Sequence, residues 1–222
     1  SCSDGSGYEL AQKLGHSITD VFPALVQIML DGQHFKRIDG VKLVGTSHII
    51  HKGKSIVMDR GDILFTNYGV SGPPILQISR KAGELLNQNE DAYVKLDMLN
   101  TMSLDEVRAI INRRFENNPH KTVEFSLVGL INKRLIPVVL LEAGIEDLKR
   151  PVSALSTNEV ERIIKILKDW RFKIRGTKSW SSAQVTAGGV ATKDIDPKTM
   201  ESKLVKGLYF AGEILDVDGK CG

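Results

Sequence analysis

The sequence predicts an α+β fold in which a β-barrel-like subdomain carries a small inserted helical bundle. Three observations lead to this prediction. Short strand-like runs separated by turn signals fill residues 22–102, two helix-start signatures fall within residues 103–175, and strands with glycine turns return in residues 176–222. Because β-rich patterns stand on both sides of the helical one, residues 103–175 are interpreted as an insertion.

The first two zones are read from apolar spacing and turn residues. A short helix is predicted within residues 1–21, where Leu10, Ala11 and Leu14 share one face and Gly15 is a stop signal. The predicted strands of the second zone lie at residues 25–30, 41–44, 47–51, 55–58, 62–66 and 92–97. Residues 52–54, with their central glycine, predict a hairpin turn, and Pro73 predicts the first turn of a helix.

The third zone is helical because two capping signatures precede apolar stripes. Ser103 and Ser156 are each followed three residues later by a Glu, the pattern in which side chain and backbone N–H groups cap each other. A third apolar run covers residues 127–141, where Pro137 is expected to kink the helix or divide it in two. These stripes are interpreted as the core faces of a small helical bundle.

Composition restricts the class of protein. The chain has 222 residues, 41% of them hydrophobic and 26% charged, which is typical of a soluble globular protein with a buried core. The sequence contains no apolar run near 20 residues and no signal-peptide pattern, so neither a membrane protein nor a secreted one is expected. Two cysteines, Cys2 and Cys221, do not make a disulfide framework, and the expected location is a reducing cytoplasm.

Charge and histidine placement argue against two further classes. The net charge is only +3, and the basic residues of the helical zone alternate with acidic ones, as on a solvated surface rather than a nucleic-acid-binding stripe. The five histidines are scattered and no cysteine pair has ligand spacing, so no metal site is predicted. Trp170, Phe172 and Trp180 lie near basic residues, but packing is the preferred interpretation of these aromatics.

Three segments are candidates for a functional site, each with a purely structural alternative. Residues 207–213 read GLYFAGE, an apolar strand-like run that ends in an acid able to accept hydrogen bonds from sugar hydroxyls, or simply in a solvated strand end. Gly188 and Gly189 follow a predicted strand and allow a close approach to the backbone, or form a bulge or tight turn. Residues 66–71 place polar side chains on a loop, where they could contact a ligand or cap the helix that follows.

These segments together resemble one family. The run LFTNYGVSGP at residues 64–73 is similar to the LFTHYGLSGP signature of the aminoacetone-oxidase-like (BaiN-like) NAD(P)/FAD-dependent flavoproteins. The runs DGSGY at 4–8, VTAGGV at 185–190, TMESKLV at 199–205, GLYFAGE at 207–213 and LDVDG at 215–219 resemble further family motifs in the same order. The resemblance covers essentially the whole chain but only the middle of the family protein, whose N-terminal GxGxxG motif this sequence lacks.

The resemblance implies an α/β FAD-binding domain of which residues 1–21 and 176–222 are flanks. It implies FAD as the cofactor of the parent protein, with NAD(P)H or an amine-like compound as electron donor, and a small-molecule substrate. The implied cofactor-binding residues are Gly188, Gly189, Gly212, Glu213, Asp218 and Gly219. The implied substrate-side residues are Thr66, Asn67, Tyr68 and Ser71. Asn67 stands where the family signature has His, and an amide does not transfer protons as an imidazole does.

The function predicted from these signals is that of a middle fragment of a FAD-dependent, NAD(P)H-linked oxidoreductase. The fragment supplies an insert that covers the substrate and half of the flavin site, and it is expected to be inactive by itself. No catalytic residue is assigned. The missing FAD domain is the expected partner, and nucleic acid and membrane are not expected partners. A further hypothesis is that the insert supports a homodimer or caps the active site. The alternative is a binding module, in which the barrel and the basic helical zone contact RNA or a protein.

Overall fold

The computed structural model describes residues 4–219 and has the α+β fold that the sequence predicts. Cys2 and Cys221 lie outside the described residues. The α-helices are α1 Ser6–Lys13, α2 Phe35–Ile38, α3 Pro73–Asn87, α4 Leu104–Glu116, α5 Val123–Ser126, α6 Ile136–Glu142 and α7 Thr157–Lys168. The strands are β1 Phe22–Ala24, β2 Ile28–Leu30, β3 Lys42–His51, β4 Lys54–Thr66, β5 Gly69–Ser71, β6 Tyr93–Asp97, β7 Trp170–Thr177 and β8 Val185–Ala187. No helix in this part of the chain is both long and apolar enough to cross a membrane.

Six strands close into an antiparallel barrel in the order β2-β5-β4-β3-β6-β7, which confirms the barrel prediction. The hairpin predicted at residues 52–54 joins β3 to β4. Four of the short predicted strands merge into these two long ones, and for β3 the reason is visible at Gly45. A side chain there would collide with the backbone of Asp97 in β6, so this glycine marks a close approach within a strand and not the end of one.

The barrel interior is apolar, and α3 packs against it. Pro73 starts α3 as predicted, and the helix buries Ile75, Ile78 and Ala82 completely. Four aromatic rings pack in one contiguous group with centroids 4.8–6.4 Å apart: Phe35, Phe65, Trp170 and Phe172. Burial of such rings is among the largest apolar contributions to a core, so the predicted packing role of Trp170 and Phe172 is confirmed.

The helical part follows the predicted capping boxes but not the whole predicted pattern. Ser103 and Ser156 cap α4 and α7, and in each case the Glu three residues on completes the box. The helix expected over residues 127–141 is wrong in its first half, since α6 begins at Ile136 and the preceding residues form turns. Pro137 lies in the first turn of α6, where its missing N–H costs nothing, so it begins a helix and does not kink one.

One barrel strand was not visible in the sequence pattern. Residues 103–175, interpreted as a single helical insert, end on β7, which pairs with β2 and β6 and closes the barrel. The side chains of β7 alternate between buried and exposed from Trp170 to Arg175. The helices α4 to α7 therefore connect two neighbouring strands of the same barrel.

The two ends of the described chain pack on each other beside the barrel. β1 and β8 form a two-stranded sheet, and a second apolar cluster comprises Ala11, Val190, Ile195, Phe210 and Leu215. The strand expected over residues 207–213 is wrong for the described chain. Tyr209 forms a single bridge to Glu201, and Gly212–Ile214 is a 3₁₀ turn, because no neighbouring segment offers this run a continuous ladder.

Candidate functional site

A cleft of about 560 Å³ lies where the N-terminal turn meets β8 and the 3₁₀ turn at Gly212–Ile214. The described residues that line it are Asp4, Gly5, Gly7, Tyr8, Val21, Trp180, Ala183, Gln184, Val185, Thr186, Glu213 and Ile214. Its polar side chains include two carboxylates, a phenol, a carboxamide, a hydroxyl and an indole N–H, and none of these lining residues is Lys or Arg. The volume lies within the range of small-molecule sites, about 300–1,000 Å³.

Glu213 is held in this cleft by its neighbours. One carboxylate oxygen, Oε1, accepts a hydrogen bond from the backbone N–H of Thr186 at 2.6 Å. The Tyr8 hydroxyl donates to the Glu213 carbonyl at 3.5 Å. Burial first, and then the nearby Glu213 carboxylate, raise the pKa of Tyr8 above its ordinary value, so this phenol stays protonated. The acid that the sequence analysis singled out therefore lies in a defined pocket with one oxygen fixed.

Gly188 and Gly189 lie directly after β8 and are buried. A Cβ at Gly188 would overlap the carbonyl oxygen of Asp20, and one at Gly189 would overlap that of Ile214. Both glycines have positive φ, 81° and 142°. The close approach predicted at this pair is therefore made by the chain itself, which matches the structural alternative. Their predicted contact with a flavin stays a prediction.

The other predicted cofactor residues lie on the surface. Gly212 has φ 80° with open space around its Cα, and Gly219 is equally unobstructed. Asp218 forms an ion pair with Arg80 of α3, which ties the end of the described chain to the helix that packs on the barrel. Of the six predicted cofactor residues, Glu213 is the one among the residues that line the cleft.

The predicted substrate-side residues form the hairpin between β4 and β5. Thr66 ends β4, Ser71 ends β5, and the Lys178 ammonium lies 4.7 Å from the centroid of the Tyr68 ring. The buried hydroxyl oxygen of Thr66 has no hydrogen-bond partner within residues 4–219. Asn67 is exposed at the turn. None of the four is among the described residues that line the cleft, so the structure separates the two groups of predicted site residues.

Sequence reasoning missed three residues near the candidate site. Trp180 was expected to pack, but its side chain is 53% exposed and lines the cleft. Thr186 contributes through its backbone, which no side-chain pattern reveals. Lys178, whose ammonium lies over the Tyr68 ring, precedes the cleft residue Trp180 by two positions. The one available signal was the position of Trp180 within a mostly polar stretch of the sequence.

No group of three or more His, Cys, Asp or Glu side chains that could hold a metal ion occurs among residues 4–219. His48 and His51 of β3 are engaged separately. The Nδ1 atom of His48 lies 2.9 Å from the Ser55 hydroxyl, and that of His51 lies 3.0 Å from the Asp91 carbonyl. Burial is the main cause that lowers the pKa of His48, followed by the positive charge of Lys95.

The barrel and the helices together match the model of one known protein family. The family described as "HI0933-like protein barrel and H2TH domain" matches residues 22–185, which include both the barrel strands and the four helices between β6 and β7. The chain belongs to the HI0933-like family. The match confirms the barrel-plus-helices architecture and treats it as one region.

Curated relatives of this HI0933-like chain include redox enzymes. It is 36% identical to the 3-dehydro-bile acid delta(4,6)-reductase of Clostridium scindens over 220 residues, 99% of this chain and 54% of that protein. It is 31% and 29% identical to the ribosomal RNA dihydrouridine synthases of Haemophilus influenzae and Escherichia coli, in each case over 97% of this chain and 51% of the relative. The chain thus spans about half the length of the curated relatives it matches. The predicted relationship to oxidoreductases is confirmed.

Proposed function

We propose that this chain supplies the barrel, the helical insert and part of the cofactor site of a flavin-dependent reductase, which reduces a carbon–carbon double bond conjugated to a carbonyl group. The observation that carries the proposal is the cleft beside β8, where the Thr186 N–H holds the Glu213 carboxylate among polar and apolar lining groups. NAD(P)H is the proposed source of electrons.

The chemistry shared by the relatives supports this substrate class. A bile acid delta(4,6)-reductase acting on a 3-dehydro compound saturates double bonds conjugated to a ketone. A dihydrouridine synthase saturates the pyrimidine double bond that is conjugated to a ring carbonyl. The two names differ in substrate but describe the same kind of bond, so we assign the reaction type to this chain and leave the carbon skeleton open.

The residues of the cleft fit part of a flavin cofactor. The Glu213 carboxylate can accept hydrogen bonds from the hydroxyls of a ribityl chain, and Trp180, Val185 and Ile214 offer apolar surface to a planar ring. The described lining residues include no cation to balance a pyrophosphate, and the sequence has no GxGxxG loop to bind one through backbone N–H groups. We therefore propose that these residues hold the sugar-alcohol part and that other segments hold the phosphates.

The role of this chain is binding and orientation. A bound flavin supplies the hydride chemistry. Glu213 would fix the ribityl chain. The buried Gly189 allows the end of β8 to lie close to residues 214–216, and Gly188 allows it to lie close to residues 20–21, so that the cleft retains its width. On the proposed substrate side, the Tyr68 phenol and the Lys178 ammonium lie together at the hairpin, and both carry exchangeable protons.

The test is a flavin measurement on the protein encoded by the complete gene. We expect a yellow protein with stoichiometric FAD, whose absorbance bleaches with NADH or NADPH under anaerobic conditions and returns when a 3-oxo-4-ene steroid or another enone is added. The matching saturated ketone should not restore the colour. A colourless protein, or a reduced flavin that no conjugated carbonyl compound oxidises, would contradict the proposal.

The proposed role of Glu213 in FAD binding is tested by a substitution that has a matched control. Glu213→Gln should weaken FAD retention by about tenfold, since a charged acceptor of hydroxyl hydrogen bonds is replaced by a neutral one, at a cost of roughly 1.5 kcal/mol. Glu201→Gln is the control, because Glu201 also accepts a backbone N–H, that of Gly207 at 2.7 Å, but is not among the described residues that line the cleft. Equal FAD loss in both variants would show a structural role only.

A further inference from the structure

A buried histidine joins α1 to the C-terminal part of the described chain. His16, just after α1, is 3% exposed, and Ser202 is 6% exposed. The Nε2 atom of His16 lies 2.7 Å from the Ser202 hydroxyl oxygen, and its Nδ1 atom lies 3.1 Å from the Ala11 carbonyl oxygen. Both ring nitrogens therefore have partners inside the fold, and one of these partners is 186 residues away in the sequence.

The hydrogen-bond partners determine which ring nitrogen carries the proton. A carbonyl oxygen can only accept, so the Nδ1 atom of His16 must donate to Ala11. The Ser202 hydroxyl oxygen already accepts the backbone N–H groups of Leu204 and Val205, at 3.0 and 2.9 Å. Those two bonds occupy both lone pairs of the oxygen, so the hydroxyl proton is directed to Nε2. His16 is thus a neutral ring with its proton on Nδ1, and Ser202 is its donor.

The pair has the spacing of a serine activated by a histidine, but its surroundings do not suit a nucleophile. An activated serine needs a free oxygen and a histidine oriented for proton transfer, commonly by a carboxylate. Here the nearby Asp194 carboxylate accepts the Ser17 N–H at 2.8 Å, and a carbonyl orients the ring instead. Neither His16 nor Ser202 is among the described residues that line the cofactor cleft. The pair is therefore suited to hold other residues in place.

His16 contacts both walls of the cofactor cleft through its neighbours. Through the Ala11 carbonyl it holds α1, whose Tyr8 lines the cleft. On another side, the Phe210 ring packs edge-on against the imidazole with the centroids 4.8 Å apart, three residues before Glu213. One imidazole therefore lies between the helix that carries the phenol and the segment that carries the carboxylate.

Ser202 is tied to the Glu213 segment through the backbone. Its N–H donates to the Leu208 carbonyl at 2.7 Å, and the Phe210 N–H donates to the Met200 carbonyl at 3.0 Å. Because these bonds lie on either side of the serine, a shift of its hydroxyl relative to the imidazole would also move the run that leads to Glu213.

We propose that His16 and Ser202 are positioning residues of the cofactor cleft. Their hydrogen bond keeps the Tyr8 wall and the Glu213 wall at the separation that the bound cofactor requires. A ring protonated only on Nε2 would turn a lone pair towards the Ala11 carbonyl and give Ser202 a third donor, so the link depends on the Nδ1 proton. The identity of the cofactor rests on the proposed function, whereas the proton position and the link between the walls do not.

The first measurement is the position of the proton. A long-range ¹H–¹⁵N spectrum of the labelled full chain at neutral pH should show a protonated Nδ1 and an unprotonated Nε2 for His16. The His16→Gln variant identifies the resonances by their absence. A protonated Nε2 in the parent chain would overturn the proposal.

The second measurement is the hydrogen-exchange rate of the Thr186 backbone amide, which donates to the Glu213 carboxylate at 2.6 Å and so reports on that wall. At a temperature where all variants are folded, Ser202→Ala should exchange this amide about tenfold faster, and Ser202→Thr, which keeps the hydroxyl, should restore the parent rate. Ser126→Ala is the matched control, because Ser126 is 5% exposed and its hydroxyl donates to the Val123 carbonyl at 2.6 Å in the helical part. A parent-like rate in Ser202→Ala, or an equal increase in Ser126→Ala, would overturn the link.

The third measurement is FAD affinity of the protein encoded by the complete gene, from flavin fluorescence. Loss of one buried hydrogen bond should raise the dissociation constant about tenfold in Ser202→Ala and in His16→Gln. The double variant should be no weaker than either single one, because both remove the same link. Ser126→Ala should bind FAD as the parent does, and parent-like affinity in both single variants would overturn the positioning role. A parent protein without FAD would contradict the proposed function, and the Thr186 amide would then decide the role of the pair.

Discussion

The Lys168 ammonium donates a hydrogen bond to the Asp97 carboxylate at 2.6 Å, from the end of α7 to the end of β6. The same nitrogen donates to the carbonyls of Leu99 and Met102, at 3.0 and 2.6 Å. The two charged side chains are only 13% and 15% exposed. One lysine therefore satisfies all three of its donors at the place where the chain leaves the barrel for the helical insert, and fixes the start of α4.

Lys168→Met should destabilise the chain by about 2–3 kcal/mol, because it leaves a largely buried carboxylate and two carbonyls without their donor, with some compensation from partial exposure. The free energy of unfolding is measured by urea titration. Lys173→Met is the control, since Lys173 pairs with Asp91 at 2.7 Å on the open surface and should produce no measurable change. Equal losses in both variants would show that Lys168 acts only as surface charge.

Glu159 predicts how stability depends on pH in the acid range. The hydrogen bond from Arg150, with those from Ser156, lowers the pKa of Glu159 from its ordinary 4.5 to about 2. A carboxyl with a lower pKa in the folded state stabilises the fold above pH 4.5, and that contribution disappears as the pH falls towards 2.

Glu159→Gln keeps the capping box but loses the charge that pairs with Arg150 at 2.6 Å. We therefore expect its melting temperature to lie below that of the parent at pH 7 and to converge on it as the pH approaches 2. Glu146→Gln, at an exposed loop position, should follow the parent at every pH. A difference that stays constant down to pH 2 would contradict the assigned pKa.

Substitution of Gly188 tests whether the stability of the chain depends on the close backbone approach between this glycine and residues 20–21. Gly188→Ala should lower the free energy of unfolding by more than about 3 kcal/mol. The new Cβ would overlap the Asp20 carbonyl oxygen, and neither backbone segment can move away without breaking their contact. Gly207→Ala is the matched control, since Gly207 has nearly the same φ, 80° against 81°, but open space around it, so only the left-handed strain of about 1 kcal/mol applies. Chemical denaturation of the two variants measures the difference, and similar losses would mean that strain alone accounts for both.

The features predicted from sequence were those encoded by neighbouring residues. The capping boxes of α4 and α7, the proline start of α3 and the hairpin at residues 52–54 each depend on signals within four residues. The cleft depends on contacts that join distant parts of the chain: Tyr8 meets Glu213, and Glu213 meets Thr186. No local pattern specifies such pairs.

The barrel also depends on contacts between distant residues that local sequence patterns do not specify. Its existence followed from repeated strand signals, but its closure by β7 did not, since pairing of β7 with β2 joins residues far apart in the sequence. Gly188 illustrates the same dependence on distant contacts. The sequence indicated that some group approaches Gly188 closely, but the group itself, the backbone at Asp20, could be identified only from the folded chain.

Thr66 offers a test that separates stability from function on the proposed substrate side. Its buried hydroxyl oxygen has no hydrogen-bond partner in the part of the chain that the structure describes, so Thr66→Val, of nearly equal shape, should stabilise the chain by about 1 kcal/mol. Thr46→Val should do the opposite by a similar amount, because the Thr46 hydroxyl accepts a hydrogen bond from Asn100 at 3.0 Å. Urea titration measures both changes. If Thr66 serves a substrate, the stabilised variant of the complete enzyme should show a raised KM with kcat little changed, since the substrate would then lose a hydrogen bond that it makes in the ground state and the transition state alike. A destabilised Thr66→Val would mean that the hydroxyl already has a partner within the fold.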